Sequence, residues 1–392
     1  MIVNISHFLE PSEQKWMNYP GIPLDEALGK QILYFDGSEK WFEDNTIDIA
    51  LVGVPEVRNS IHELNENAPI YVRQWLYGMR QVSTSMKIAD LGNLRGNGLH
   101  DRYLALREVV NFLYARNVSV LIIGGSQDLT LPACDFMKNR NEEGNIVIVD
   151  PFLDVDPEGA DFSSSAFIHK LIDDLQNKIN ELSVLGIQLY YCSKEQENYL
   201  ANRFYPVLRL KDLRGEKIDR FEVFLRDASM LSVDLGVVRG QPALPLGVEM
   251  PNGFSEAEAC RIFWYAGASD NLKVTGLFNV CAGEERKCSA VVAAQMLWHY
   301  LEGAGLREGD YPLKSIEDYE LKVVFVEKFD ETVKFYHNPQ NGRWWIQVPS
   351  RNHNKIVACH IEDYQQALNN ELPDIWWRYF IRTTGNFNVI HH

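Results

Sequence analysis

The sequence predicts an α/β fold, a mostly parallel sheet covered by helices on both faces, followed by a small α+β module. Three observations carry this. Continuous apolar runs of strand length alternate with helical periodicity from Ile47 onward, the pattern of strands buried on both faces. Two of those runs deliver polar groups at their carboxyl ends, where an open α/β sheet builds its site. They are Val120-Leu-Ile-Ile-Gly-Gly-Ser-Gln127-Asp and Asn145-Ile-Val-Ile-Val-Asp150-Pro-Phe152-Leu-Asp154. Beyond about residue 310 the pattern changes to an alternation of period two.

Taken in order, the predicted strands of the larger part are 47–54, 86–90, 118–123, 145–149, 182–187, 228–233 and 272–278. Between them, Asp101 to Tyr114 is apolar at i, i+3, i+4 and i+7 and predicts a helix. Ser289 to Leu301 predicts another, ended by Gly303-Ala-Gly305. In the smaller part, 320–327 and 332–336 alternate as strands, Asn338-Pro-Gln-Asn-Gly-Arg343 supplies turn chemistry, and 344–348 reads as the next strand. Segments 362–372 and 373–380 read as helical and rich in aromatics. The expected division is an extension at 1–46 packed on the main domain, an α/β domain at 47–309, and a module at 310–392. No internal repeat or low-complexity segment interrupts it.

With 392 residues, 46% of them hydrophobic, the chain has enough apolar surface to bury a large core. The formal charge of −16 repels a phosphate backbone or an anionic bilayer, so nucleic acid and membrane are excluded as partners. Six cysteines (Cys134, Cys192, Cys260, Cys281, Cys288 and Cys359) form no Cys-x-x-Cys pair, which suits reduced thiols and predicts a cytoplasmic protein. The amino terminus shows no basic region leading into an apolar run. No stretch reaches the roughly 18 apolar residues that a membrane span needs. His391-His392 is assigned no function.

The motifs resemble those of the ureohydrolase family of arginase, agmatinase and, most closely, formimidoylglutamase, over roughly Ile47 to Gly305. Asn67-Ala-Pro-Ile-Tyr-Val-Arg73 is similar to the family's early Gly-Pro-x-x-Ile-Arg helix start, and Ala89-Asp-Leu-Gly-Asn93 to its Asp-Leu-Gly-Asp segment. Gly124-Gly-Ser-Gln-Asp128 stands where the family has Gly-Gly-Asp-His-Ser, and Asp150-Pro-Phe-Leu-Asp154 where it has Asp-Ala-His-x-Asp. Ser232-Val-Asp234-Leu-Gly236-Val-Val-Arg239-Gly240 stands for Ser-x-Asp-x-Asp-x-x-Asp-Pro. Leu277-Phe278-Asn-Val-Cys281 stands for the strand that carries a glutamate, and Ser289-Ala290 for the Thr-Ala helix start. Asp161-Phe-Ser-Ser-Ser-Ala-Phe167 and Leu185-Gly-Ile-Gln188 point to the formimidoylglutamase branch. The resemblance implies an arginase-like three-layer α/β/α domain with an eight-stranded, mostly parallel sheet. It also implies hydrolysis of linear amidines by water bridging two manganese ions.

The departures fall on the ligands of that centre. Gln127 and Phe152 replace histidines, Gly236 and Arg239 replace aspartates, and Phe278 replaces the glutamate, so Asp150, Asp154 and Asp234 remain. A two-metal site needs enough anionic and imidazole ligands to hold two dications about 3.5–4 Å apart. The expectation is therefore a catalytically inactive homologue, a binding or scaffolding protein with no metal. Its partner would be a protein, reached through the aromatic carboxyl-terminal module, and a homo-oligomer is also compatible. One alternative is a divergent hydrolase of linear amidines holding a single Mg, Ca or Mn ion at Asp150, Asp154 and Asp234. Another is a small-molecule sensor using the emptied metal pocket.

Around these positions several readings stay open. The three aspartates read first as loop caps at strand ends and second as residual ligands, which Asp128 and Asp156 would extend. Arg239 is expected to replace the lost metal charge by pairing with Asp234 or Asp154, and Phe278 to fill the crevice. His169 reads as structural before substrate-binding. Cys281 and Cys288, near Arg286 and Lys287, read as a thiol pair of lowered pKa but not as a nucleophile. Trp344, Trp345, Trp376, Trp377, Tyr379 and Phe380 read equally as a small core or as a binding surface.

Overall fold

The apolar runs assemble into one ten-stranded sheet in the computed structural model, which describes residues 4–61, 64–159, 162–243, 246–350 and 354–384. Its strands are β1 (Leu9–Glu10), β2 (Leu33–Tyr34), β3 (Ile49–Gly53), β4 (Ile88–Leu94), β5 (Ser119–Ile123), β6 (Gly144–Val149), β7 (Ile179–Ile187), β8 (Val207–Arg209), β9 (Ala228–Asp234) and β12 (Val274–Phe278). Eight of them run parallel in the order β4-β3-β5-β12-β9-β6-β7-β8, which is the expected eight-stranded sheet. The extension adds two short edge strands, both on β4: β1 antiparallel and β2 parallel.

Alternate residues of each central strand enter different cores, and this makes three layers. Leu121 and Ile123 of β5, Val147 and Val149 of β6, and Leu231 and Val233 of β9 face helices 68–76, 220–226, 256–268 and 287–304. Val120, Ile122, Ile146, Ile148 and Met230 face helices 99–114, 136–140 and 168–175. A strand buried on both faces has no polar position to spare, which is why these runs are uninterrupted.

Beyond residue 310 lies an antiparallel meander of β13 (Glu320–Val326), β14 (Glu331–His337), β15 (Trp344–Val348) and β16 (Lys355–Cys359). Helices 361–368 and 374–384 cover one face. The aromatics are core: Trp344, Trp376 and Tyr379 are buried among Val324, Phe335 and Ile346, with Trp377 and Phe380 packed against them. The expectation of an aromatic binding surface is corrected accordingly, because a sheet this small needs large side chains inside. Fully buried Trp345 points the other way, stacking on Tyr319 at 4.9 Å and under the Arg226 guanidinium at 4.7 Å.

That contact sets where the module sits. Arg226 donates to the Trp344 carbonyl at 2.7 Å, Asp227 Oδ2 accepts from the Ala358 N–H at 2.6 Å, and Arg382 binds the Asn180 carbonyl at 2.6 Å. All three partners on the main sheet lie where β7 and β9 begin. The module therefore docks at the amino-terminal edge of the sheet, opposite the carboxyl-terminal edge where the motifs gather. Among the described residues, no helix is long and apolar enough to cross a membrane.

Candidate functional site

Four adjacent strands, β5, β12, β9 and β6, bring the motif residues to one edge. At their carboxyl ends stand Gln127, Phe278, Asp234 and Asp150, and Phe278 is the register partner of Asp234. The turn after β5 depends on Gly124 and Gly125, which hold φ of +83° and +79°. At that φ a Cβ on Gly125 would also stand 3.0 Å from the Glu56 carbonyl and 3.1 Å from that of Val54, so glycine suits the turn that leads to Gln127.

The polar groups gathered here are largely bonded to one another. Gln127 Nε2 donates to Ser232 Oγ at 3.3 Å, and Ser232 Oγ meets Thr130 Oγ1 at 2.6 Å. Asp234 Oδ1 accepts from the Gly236 N–H at 2.6 Å, and its Oδ2 accepts from Asn279 Nδ2 at 2.8 Å. Asp150 Oδ1 accepts from the Phe152 N–H at 2.8 Å. Asp150 and Asp154 lie close enough for each carboxyl to affect the other's ionisation. Gln127 Oε1, Asp150 Oδ2 and Asn279 Oδ1 are buried acceptors that find no hydrogen-bond partner among the described residues.

Burial sets the electrostatics. Desolvation, then the charges of Asp154 and Asp234, holds the Asp150 carboxyl well above the usual carboxylate range. Desolvation and the Asp234 charge do the same to Asp154. Asp234 itself is pushed up by burial to about 6, against the opposing bonds from Asn279 and Gly236. The cluster thus holds its protons more tightly than three free carboxylates would. Among the described residues, no three histidine, cysteine or carboxylate groups are placed so as to hold a metal ion.

Two of the motif positions carry phenyl rings. Phe278 is fully buried, and its ring lies over Gly276, where a Cβ would come within 2.2 Å of the ring carbons. Phe152 packs on Met250 and Tyr191, its ring 5.2 Å from that of Tyr191. Met250 follows the hairpin of β10 (Pro242–Ala243) and β11 (Val248–Glu249), and it is tied down by two backbone bonds of 2.7 Å to Gln241 and Gly240.

Comparison with known proteins matches this arrangement. The sequence model of the arginase family fits residues 47–301, well over half of the chain. The chain belongs to the arginase family. Similar solved structures include a formiminoglutamase from Trypanosoma cruzi with Mn2+2, at 19% identity and a TM-score of 0.61, covering 68% of this chain and 95% of that one. A formimidoylglutamase from Bacillus subtilis gives 20% identity and 0.59, covering 68% and 90%. A hypothetical agmatinase from Burkholderia thailandensis gives 18% and 0.56, covering 66% and 86%. No curated protein sequence matches.

The remaining expectations divide within this arginase-family frame. Arg239 is exposed, and it is its backbone that bonds, to the Phe254 carbonyl at 2.9 Å. The charge it was expected to supply at Asp234 is met instead by a neutral amide, Asn279. Asp128 is buried beside the crevice and bonded by the Tyr103 hydroxyl. Asp156 caps its own turn at the Glu158 N–H, 3.0 Å away. His169 is buried on helix 168–175, with Nδ1 unpartnered. Burial pushes the Cys281 thiol up to about 12, so the expected lowering is corrected, while Cys288 is exposed. Asp161 lies outside the described residues.

Sequence reasoning missed Ser232, Thr130 and Asn279. For Ser232 a signal existed, since it lies two residues before Asp234 on one strand and so shares its face. Asn279 could not be read locally, because its partner depends on the register of β12 on β9. It holds φ +55°, which asparagine tolerates. Asn279→Ala is expected to cost about 1–2 kcal/mol by leaving Asp234 short of a donor, measured as a shift in the urea midpoint at constant slope.

Proposed function

We propose that this arginase-family chain does not carry out the family's hydrolysis and serves as a binding or scaffolding protein. One observation carries the reading: the ligand positions are spent. Gly236 offers no side chain, and Phe152 and Phe278 are buried rings that offer no ligand atom. Both Asp234 oxygens are committed to internal donors, and one Asp150 oxygen to the Phe152 N–H. Two dications would have to displace these bonds while gaining no imidazole, so the residues present do not fit the binuclear centre. Six unpaired thiols support a cytoplasmic setting. An exposed apolar row on edge strand β13, Leu321, Val323 and Phe325, supports a protein partner.

The test is metal analysis of protein purified from manganese-containing medium, joined to assays of urea or formamide release from arginine, agmatine and formimidoylglutamate. No bound manganese and no release are expected. Stoichiometric manganese with turnover would sink the reading.

A second reading, a single hard cation serving a divergent amidine hydrolase, draws on the three unpartnered buried acceptors. It requires Mg, Ca or Mn to raise the melting temperature in a manner abolished by Asp150→Asn, with turnover at the same concentration. A ligand sensor using the emptied pocket is disfavoured by the two rings, and thermal shifts with guanidino compounds test it.

A further inference from the structure

Where the module meets the amino-terminal edge of the sheet, the two surfaces line a half-open cavity of about 330 Å³. That is the size of a small-ligand site, far from the crevice at the carboxyl ends of the strands. Its walls are apolar and aromatic, with Val223 and Phe224 from one side and Val357, Ile375 and Tyr379 from the other. Its polar lining is strongly acidic.

The lining charges can be followed one by one. Arg220 is neutralised by Glu362 at 2.8 Å. Arg378 and Arg382 both face Glu181, at 3.5 and 2.9 Å. His360 accepts the Glu362 N–H on Nδ1 at 3.3 Å. Arg226, the cation beside Asp227, is already held by Glu222 and the Trp344 carbonyl. Three carboxyls make no ion pair among the described residues, Asp227 from the main sheet and Asp363 and Asp374 from the module, and the first two face each other across the junction's two sides. Asp227 Oδ2 takes the Ala358 N–H at 2.6 Å and Asp363 Oδ2 takes the His360 N–H at 2.8 Å, so each keeps its second oxygen for the cavity.

We propose that this junction cavity binds a small organic cation, a planar amidinium or guanidinium or a primary ammonium, held between Asp227 of the arginase-family domain and Asp363 of the module with its apolar body against Phe224 and Tyr379. The geometry favours a cation because every basic group lining the cavity has an acidic partner, while Asp227, Asp363 and Asp374 have no basic one among the described residues. Burial, first among the causes, raises both carboxyls, Asp227 to about 6, so ionising them costs free energy that an arriving cation returns. Such a ligand would join the two parts of the chain, since its two carboxylate partners come from different parts.

Benzamidine is the probe, with benzamide as its neutral isostere, and binding is measured by calorimetry and ligand-observed NMR on the full chain. Saturable binding of benzamidine but not benzamide is expected. Asp227→Asn and Asp363→Asn each keep an oxygen for the backbone N–H and should fold; each is expected to weaken binding about tenfold or more, as a charge-assisted bond becomes a neutral one. Asp154→Asn, in the distant crevice, should leave the affinity unchanged. Equal binding of benzamide, no saturable binding of benzamidine, or unaltered affinity in both junction variants would overturn the proposal. Loss of binding in Asp154→Asn alone would move the site to the crevice and overturn it too.

Discussion

Replacing Arg73 by alanine is expected to destabilise the fold by about 3–5 kcal/mol, the range for removing one member of a buried ion pair. Its side chain is 3% exposed and its guanidinium makes three bonds: to Asp90 Oδ1 at 2.9 Å, to the Gly92 carbonyl at 2.7 Å and to Asn93 Oδ1 at 2.6 Å. Asp90 is buried as well. Its carboxylate also collects Tyr77 at 2.8 Å, Ser12 at 2.5 Å and the Gly92 N–H at 2.9 Å. Removing Arg73 leaves a carboxylate that water does not reach and a carbonyl with one donor fewer. Urea unfolding should show the loss as a lower midpoint at unchanged slope. Arg73→Lys should recover only part of it, because an ammonium cannot reproduce the planar fork that spans Asp90 and Asn93. A loss under about 1 kcal/mol, the range of an exposed pair, would mean that solvent replaces the guanidinium.

That network explains what two motifs do. Asn67-Ala-Pro through Arg73 and Ala89-Asp-Leu-Gly-Asn93 were legible only by their resemblance to family segments. In the fold they are one device, tying helix 68–76 to β4 beside the edge strands of the extension. The central strands were legible because burial on both faces leaves an unbroken apolar run. Edge elements were not: β8 is half exposed, β1 and β2 are two residues long, and β16 is a five-residue run with a lysine at its start. The site was legible to the level of which residue ends which strand. What each residue bonds was not, because the partners are far away in sequence. Phe152 packs on Met250, Gln127 on Ser232, and Asp234 on Asn279 through strand register. The Arg239 expectation failed for the same reason. A charged residue five positions after Asp234 looked available, but the chain leaves β9 through the turn at 235–237 and sends that side chain to solvent.

Stability should fall as pH rises from about 4 to 7, by on the order of 3 kcal/mol from Asp234 alone, and Asp154→Asn should remove the further part that Asp154 and its charge on Asp150 add. Asp234, 3% exposed, stands at about 6 in the fold against 3.8 as its ordinary value, and each unit is worth about 1.4 kcal/mol. Because the folded value is raised, the folded state holds its proton where the unfolded chain has released it. The stabilising contribution is complete below the unfolded pKa near 4 and disappears as pH passes the folded value near 6. Asp150 and Asp154 shift the same way, so they add to the slope rather than oppose it. Carboxyls lowered by partners, such as Asp310 bonded to Arg343, lose their contribution only on the acid side and leave this window untouched. Asp154→Asn keeps a hydrogen-bonding group while deleting one charge from the cluster. It should raise the urea midpoint at pH 7.5 and leave it little changed at pH 4, where the wild-type carboxyls are already protonated. Added manganese is the discriminating condition. If the three carboxyls hold a proton in place of a metal, the wild-type slope is the same with and without the ion, whereas a bound dication would stabilise the ionised cluster and flatten it.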